Sequence, residues 1–284
     1  MFKKISDALK WIGSHFLGLL FVLIVLMIII PDNDGAIDNS NLQEIELKGP
    51  IISSDEILKE IEEAKNNEKI KGVLFSVNSP GGAVAPSIDI SYAIKDLALS
   101  KPVLAYGGDV MASGGYYSVI YATKIMANPG SLVGSIGVIM EGANVEPLMK
   151  KIGIETQTIK QGTYKEVGTM SREWTADERK ELQTLTKDTY DLFVKDVTTA
   201  RKLNIANMKN YADAHVYSAA RAKSVGLVDM IGTKMQAKKE IEKIANVKEA
   251  KWKEKDKVDR FFDKLSSETA SKISSYLFGL KAAL

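Results

Sequence analysis

The chain contains no cysteine. Disulfides and thiolate metal sites are therefore excluded, as is any cysteine nucleophile. Histidine is almost as scarce: His15 and His215 are the only two in 284 residues. They lie far apart in sequence, which argues against a histidine-based metal centre, and no metal or other cofactor is expected. His15 lies inside an apolar N-terminal stretch, so only His215 could serve a Ser-His-Asp site in a soluble domain. A Ser-Lys pair needs no histidine. A strong excess of charge of one sign is also missing. The formal net charge is +2, too small for a dedicated nucleic-acid binder. With 45% hydrophobic and 26% charged residues, the chain has the balance of a folded globular protein.

One long apolar run is present. Residues 11–31 carry no Asp, Glu, Lys or Arg, and about 20 helical residues span a ~30 Å hydrocarbon core. Lys3, Lys4 and Lys10 precede the run, and Asp32, Asp34 and Asp38 follow it. This asymmetry predicts a cytoplasmic N-terminus and a remainder on the far side of the cell (inner) membrane, the periplasmic side. Leu26-Met27-Ile28-Ile29-Ile30-Pro31 is bulky to its end and lacks the small residues of a signal-peptide cleavage site. The expectation is a retained single-pass anchor in contact with membrane lipid. The domain reading is then a cytoplasmic stub and anchor at 1–30, a linker rich in Asp, Asn and Gly at 31–43, a catalytic domain at 44–233, and a basic extension at 234–284. In that extension Phe261, Phe262, Leu265, Ile273, Tyr276, Leu277 and Leu280 recur at roughly helical spacing. An amphipathic helix packed on protein and one lying on a membrane surface both fit it.

Between these ends the pattern alternates. Strands are predicted at 44–52, 72–77, 102–106 and 124–127, and helices at 55–64 and 87–99, with Ser53-Ser54-Asp55-Glu56 as a capping box. A longer helix runs from Thr175-Ala176-Asp177-Glu178 to about Leu203, with Leu182, Leu185, Leu192, Phe193 and Val197 on its buried side. Strand, turn and helix with short connections imply an α/β fold with parallel pairing.

Three glycine-bearing turns follow or flank these strands: Ser79-Pro80-Gly81-Gly82, Ala112-Ser113-Gly114-Gly115, and the segment 130–137. None has the spacing of a phosphate-binding loop. Each could be a simple chain reversal, or could bring backbone N–H groups close to a ligand. Two such donors aimed at one point would hold an oxyanion, with Gly114 the natural first and Gly82 a candidate second. Ser113, between a strand and a helix start, has the logic of a nucleophile elbow without its G-x-S-x-G sequence. A lysine acts as a base only when neutral, and burial favours that form. Lys165, in Gln161-Gly162-Thr163-Tyr164-Lys165, is followed by Glu166, which would oppose that effect if it faced the amine. Chemistry alone does not single out Lys165 among so many lysines.

Taken together, Asn78-Ser79-Pro80-Gly81-Gly82, Met111-Ala112-Ser113-Gly114-Gly115-Tyr116-Tyr117, Gly134-Ser135-Ile136-Gly137-Val138, the Gly162-to-Lys165 segment followed by Ser171-Arg172, and Ala222-Lys223-Ser224-Val225-Gly226-Leu227-Val228-Asp229 resemble, in order, the motifs of the single-repeat bacterial signal peptide peptidase A (protease IV) family. The likeness runs over residues 47–231. It implies a Clp-protease/crotonase-like α/β fold built from ββα-type repeats, preceded here by one N-terminal transmembrane helix. It further implies a serine endopeptidase acting on cleaved signal peptides and other apolar peptides. Ser113 would be the nucleophile, Lys165 the general base, Gly82 and Gly114 the oxyanion hole, and Ser135 the hydroxyl that positions the lysine. It also implies a homo-oligomeric ring in which serine and lysine come from adjacent subunits. His215 stands where relatives usually carry a different residue, consistent with no catalytic role. The alternatives are a stomatin-operon-type membrane Ser-Lys protease, a crotonase-like acyl-CoA enzyme (against which the exported topology speaks), and an inactive scaffold.

Overall fold

The computed structural model describes residues 10–29 and 39–254. Its contacts divide the chain into two units, Ser40–Trp252 and a second drawn from Met1–Asn39 with Lys253–Leu284. In the second unit helix α1 (Phe16–Ile29) is built only of apolar residues and glycine. Helical hydrogen bonds continue from Leu19 to His15 and from His15 to Trp11. At 14 residues α1 is ~21 Å long. No helix among the described residues is long and apolar enough to cross a membrane. The apolar positions expected at 261–280 lie outside the described residues, as do 1–9 and 30–38.

The unit Ser40–Trp252 is a mainly parallel α/β fold. Strands β1 (Leu42–Lys48), β2 (Gly72–Ser79), β3 (Val103–Ala112), β4 (Lys124–Ala127) and β7 (Met230–Ile231) lie side by side in that order, all parallel. Parallel neighbours need crossover segments. Helix α2 (Asp55–Asn66) supplies one between β1 and β2, and α3 (Val84–Ala98) supplies the next between β2 and β3. On the edge away from β2, β3 serves two partners: Leu104 to Gly107 pair with β4, and Val110 to Ala112 pair with β5 (Leu132–Gly134). The antiparallel β6 (Val216–Ser218) then extends β5. This division of β3 delivers its last residue, and Ser113 after it, to a point flanked by the ends of β2 and β5.

The β2 run Gly72-Val73-Leu74-Phe75 has no polar side chain because both faces are covered. Val73, Phe75 and Val77 face a cluster with Ile90, Ile94 and Leu97 of α3. Leu74 faces the other layer, with Leu104, Tyr106 and Met126. That second layer is closed by α8 (Lys234–Ile244) through Ala237 and Ile241. The domain boundary read at 233 therefore needs correction, because the compact unit reaches Trp252. Asn41 fastens that end. Its backbone N–H donates to the Lys251 carbonyl at 2.7 Å, and its side-chain oxygen accepts from the Lys251 N–H at 2.9 Å. Truncating fully buried Ile241 to alanine is expected to cost about 2–5 kcal/mol of stability, measurable by urea denaturation.

The long helix α6 (Ala176–Arg201) starts where the sequence places it, with a capping box in which Thr175 and Glu178 satisfy each other's backbone N–H groups. Its buried side includes Leu182, Phe193 and Val197 as expected, with Val194. Leu185 and Leu192 are exposed. The capping box expected at α2 is absent. Ser54 makes no cap bond and instead donates to Asp89 at 3.4 Å, while the Asp55 N–H donates to Ser53 Oγ.

Candidate active site

Ser113 is the residue between β3 and the short helix α4 (Gly114–Tyr117), with φ 51° and ψ −125°. A positive φ is unusual and strained for a residue with a Cβ, and such strain persists only where neighbours over-determine it. Here the Ser113 N–H donates to the Gly134 carbonyl at 2.8 Å, and its carbonyl accepts from the Tyr117 N–H at 2.9 Å. The turn is thus tied both to β5 and to its own helix.

The Gly81-Gly82 turn after β2 meets it from the other side. A Cβ on Gly81 would lie 2.6 Å from the Gly114 nitrogen, and φ at Gly81 is +100°. A Cβ on Gly82 would lie 2.2 Å from the Ile51 carbonyl oxygen. Only glycine permits both approaches. A Cβ built on Gly114 would sit 3.3 Å from the Gly82 nitrogen, so the two amides named from sequence converge beside Ser113. Among the described residues neither amide N–H has an acceptor. Two free N–H groups at one point, next to a hydroxyl, can bind a developing oxyanion.

Ser113, Gly82 and Gly114 line one pocket of about 100 Å³. Most of its other walls are apolar: Val84 and Ile88 from α3, Val138 and Ile139 after β5, and Leu192 and Phe193 from α6, with Thr189 of α6 as a polar member. Ser87, buried at the head of α3, also lines it and was not anticipated from sequence. Its hydroxyl is committed to the Ala83 carbonyl at 2.8 Å.

Lys165 and Ser135 do not line this pocket. Ser135 directly follows Gly134, has φ 52°, and donates its N–H to the His215 carbonyl at 2.8 Å. The His215 ring is exposed, with Asp213 3.6 Å away as its acidic neighbour. Lys165 is exposed in a turn where its N–H donates to the Gly162 carbonyl at 3.2 Å. Glu166, its acidic neighbour in sequence, is engaged elsewhere. Lys160 reaches it at 2.9 Å and Arg172 at 3.0 Å, and these hydrogen bonds hold its carboxyl below the usual range. Arg172 also grips Glu178 at 2.7 Å, so the Lys165 turn is tied to the first turn of α6. The Arg172 bond, and then the Thr175 N–H, pull the Glu178 carboxyl down to about 2. A depressed acid stabilises the fold above its unfolded value and loses that contribution as pH falls through its folded value. The stability difference between the native chain and Glu178→Gln is therefore expected to shrink between pH 5 and pH 2, as followed by thermal melts. Among the described residues no group of three His, Asp or Glu side chains is placed to hold a metal ion.

Residues 95–248 match the family described as Peptidase family S49. The chain belongs to that family. The S49 family comprises serine peptidases and includes proteins named signal peptide peptidase and protease 4. The matched segment contains Ser113, Gly114, Ser135 and Lys165. A Methanocaldococcus jannaschii protein named as a protease is 42% identical over 187 residues, 66% of this chain and 60% of its own length. A Synechocystis protein named as a protease is 37% identical over 202 residues, 69% of this chain and 72% of its own. An Enterococcus faecium protein named as a signal peptide peptidase is 34% identical over 62% of this chain and 51% of its own. The matches thus span between about half and three quarters of these relatives. A solved membrane-bound stomatin-specific protease aligns with TM-score 0.48 and 14% identity, over 72% of this chain and 86% of that one.

Proposed function

We propose that this S49 chain is a membrane-anchored serine endopeptidase that degrades cleaved signal peptides and other apolar peptides, with Ser113 as nucleophile and Lys165 as general base. The observation that carries the reading is the convergence of the Gly82 and Gly114 amides on Ser113 at the mouth of an apolar pocket. An apolar cavity of roughly 150 Å³ takes up benzene. A pocket of about 100 Å³ suits a smaller, aliphatic side chain ahead of the scissile bond.

In the proposed reaction Lys165, as a neutral amine, takes the Ser113 proton while Ser113 Oγ attacks the peptide carbonyl carbon. The carbonyl oxygen becomes an oxyanion held by two backbone N–H groups. The protonated lysine then gives its proton to the leaving amine, and the C–N bond breaks to leave an acyl-enzyme. Water, deprotonated by Lys165, adds to the ester and releases the acid and Ser113. Each oxyanion donor is worth about 3 kcal/mol of barrier.

Lys165 is exposed in the single chain and lies outside the pocket that Ser113 lines. The proposal therefore places it against Ser113 of an adjacent subunit in a homo-oligomeric ring, with Ser135 holding its amine. The exposed apolar side chains Ile139, Ile152, Ile154, Ile159 and Met170, along the segment that carries Lys165, support such a contact. The fold would be of the Clp-protease/crotonase type. The all-apolar helix α1, preceded by lysines and followed by aspartates, supports an anchor in the cell membrane with the catalytic unit on the periplasmic side. No nucleic acid or cofactor takes part.

Mixing separately inactive Ser113→Ala and Lys165→Ala chains tests the shared site. In randomly mixed rings about a quarter of the sites would combine an intact serine with an intact neighbouring lysine. Recovery near that level is expected, and no recovery in verified mixed oligomers would place both residues in one chain. Protease protection in sealed membranes tests the topology. A catalytic unit digested only from the cytoplasmic side would contradict it.

A further inference from the structure

Asp196, on α6, is a buried carboxylate, 6% exposed, that the mechanism does not use. It lies one turn beyond Leu192 and Phe193, both of which wall the pocket. Its Oδ2 accepts a hydrogen bond from Tyr117 Oη at 2.5 Å and from Tyr92 Oη at 3.3 Å. No cation pairs with it among the described residues. The Lys95 ammonium, on α3, lies instead over the Tyr121 and Tyr92 rings, at 4.5 and 5.3 Å from their centroids. A buried carboxylate without a countercharge is costly, so its phenol partners are what sustain it. Burial, followed by Asp196 itself, raises the Tyr117 phenol far above its ordinary value, and the charge of Asp196 raises that of Tyr92. The phenols therefore remain donors across the pH range of ordinary activity.

Tyr117 leads to the site by two routes. Its N–H donates to the Ser113 carbonyl, bracing the strained turn. Its ring lines the pocket and meets Phe193 edge to face, 4.5 Å between centroids at 89°. Asp196 thus fixes the side chain of a residue whose backbone braces the nucleophile turn and whose ring packs on the pocket wall.

We propose that Asp196 is a positioning residue: by holding Tyr117 it sets the depth of the pocket beside Ser113, and so which side chain is accepted ahead of the scissile bond. The inference rests on the peptidase reading. Released from Asp196, Tyr117 and the Phe193 ring against it could tilt, and the pocket would admit larger groups.

The experiment compares peptides identical except for Ala, Leu or Phe ahead of the scissile bond. The oligomeric, detergent-solubilised chain is assayed beside Tyr117→Phe, Asp196→Ala and Asp196→Asn. The native chain is expected to prefer Leu over Phe. Tyr117→Phe and Asp196→Ala should shift the Leu-to-Phe ratio of kcat/KM about tenfold toward Phe, mainly through KM, the size of effect one or two methylenes have in such pockets. Asp196→Asn keeps an oxygen that accepts from Tyr117, so its ratio should stay within about threefold of native. If Asp196→Ala does not fold, the near-isosteric Tyr117→Phe decides. A native chain that cleaves these peptides, with the same ratio in every variant or a loss in kcat alone, overturns the role of Asp196 while the peptidase reading stands. A native chain that cleaves none of them overturns both.

Discussion

Ser113→Ala is expected to lower kcat for an apolar peptide by about 10⁴-fold or more, with the oligomer intact and KM little changed. The reason is the mechanism's division of labour. Removing Oγ abolishes the acyl-enzyme, and what remains is whatever rate the oxyanion donors and binding give to water. Lys165→Ala should fall to a similar floor, because residues that act as one unit do not add: the double variant should be scarcely slower than either single one. The assay is cleavage of a fluorogenic signal-peptide-like substrate at saturating concentration. Neither change should alter stability much. Lys165 is solvent-facing in the single chain, and Ser113→Ala keeps the Cβ and the backbone bonds of the turn while leaving no buried polar group unpaired. A drop in activity without loss of fold separates chemistry from scaffold.

Gly82→Ala carries the second large expectation, a fall in kcat of about 10² to 10³. The added methyl would sit 2.2 Å from the Ile51 carbonyl oxygen and 2.6 Å from the Ile51 nitrogen, with backbone on both sides and no flexible side chain to yield. The turn must shift, and with it the amide paired with Gly114. An N–H that moves by a few tenths of an ångström no longer meets the oxyanion, though it still tolerates the ground-state carbonyl. The loss should therefore appear in kcat more than in KM. Gly130→Ala is the matched control. Its Cβ would meet only the Asn128 side-chain oxygen at an ordinary 3.6 Å, and its activity should stay near native. Equal losses in both variants would mean that the Gly82 effect is one of general stability.

Much of the scaffold was legible because its signals are local. The apolar run of β2 and its glycine turn, the strand at Lys124–Ala127, and the Thr175–Glu178 cap are each determined within a few residues, and each appears where expected. The same holds for the convergence of Gly82 and Gly114, since a turn after one strand and a turn after its parallel neighbour lie at the same end of a sheet. Other features depend on partners distant in sequence. Leu185 and Leu192 fit the helical apolar stripe yet are exposed, and Leu192 borders the pocket instead of filling the core. Ser54 had the spacing of a cap, but Asp89 on α3 competes for its hydroxyl. The boundary at 233 followed the end of the shared motifs, whereas packing carries the unit on through Ile241 to Trp252. Asp196 is hard to single out in sequence because a charge on a helix is ordinarily solvated. Its only sequence signal was a position three residues after Phe193, on the apolar side.

Lys165 differs from all of these. The fold brings Ser113, Gly82 and Gly114 together but leaves Lys165 outside their pocket, which is why the proposal places the dyad between adjacent subunits. The most direct test of the central claim is covalent. The native oligomer would be treated with a fluorophosphonate probe, and the labelled peptide identified by mass spectrometry, beside Lys165→Met. The account predicts a single modification on Ser113, lost or greatly slowed when Lys165 is replaced. Label on another residue, or Ser113 labelled equally fast without Lys165, would contradict it.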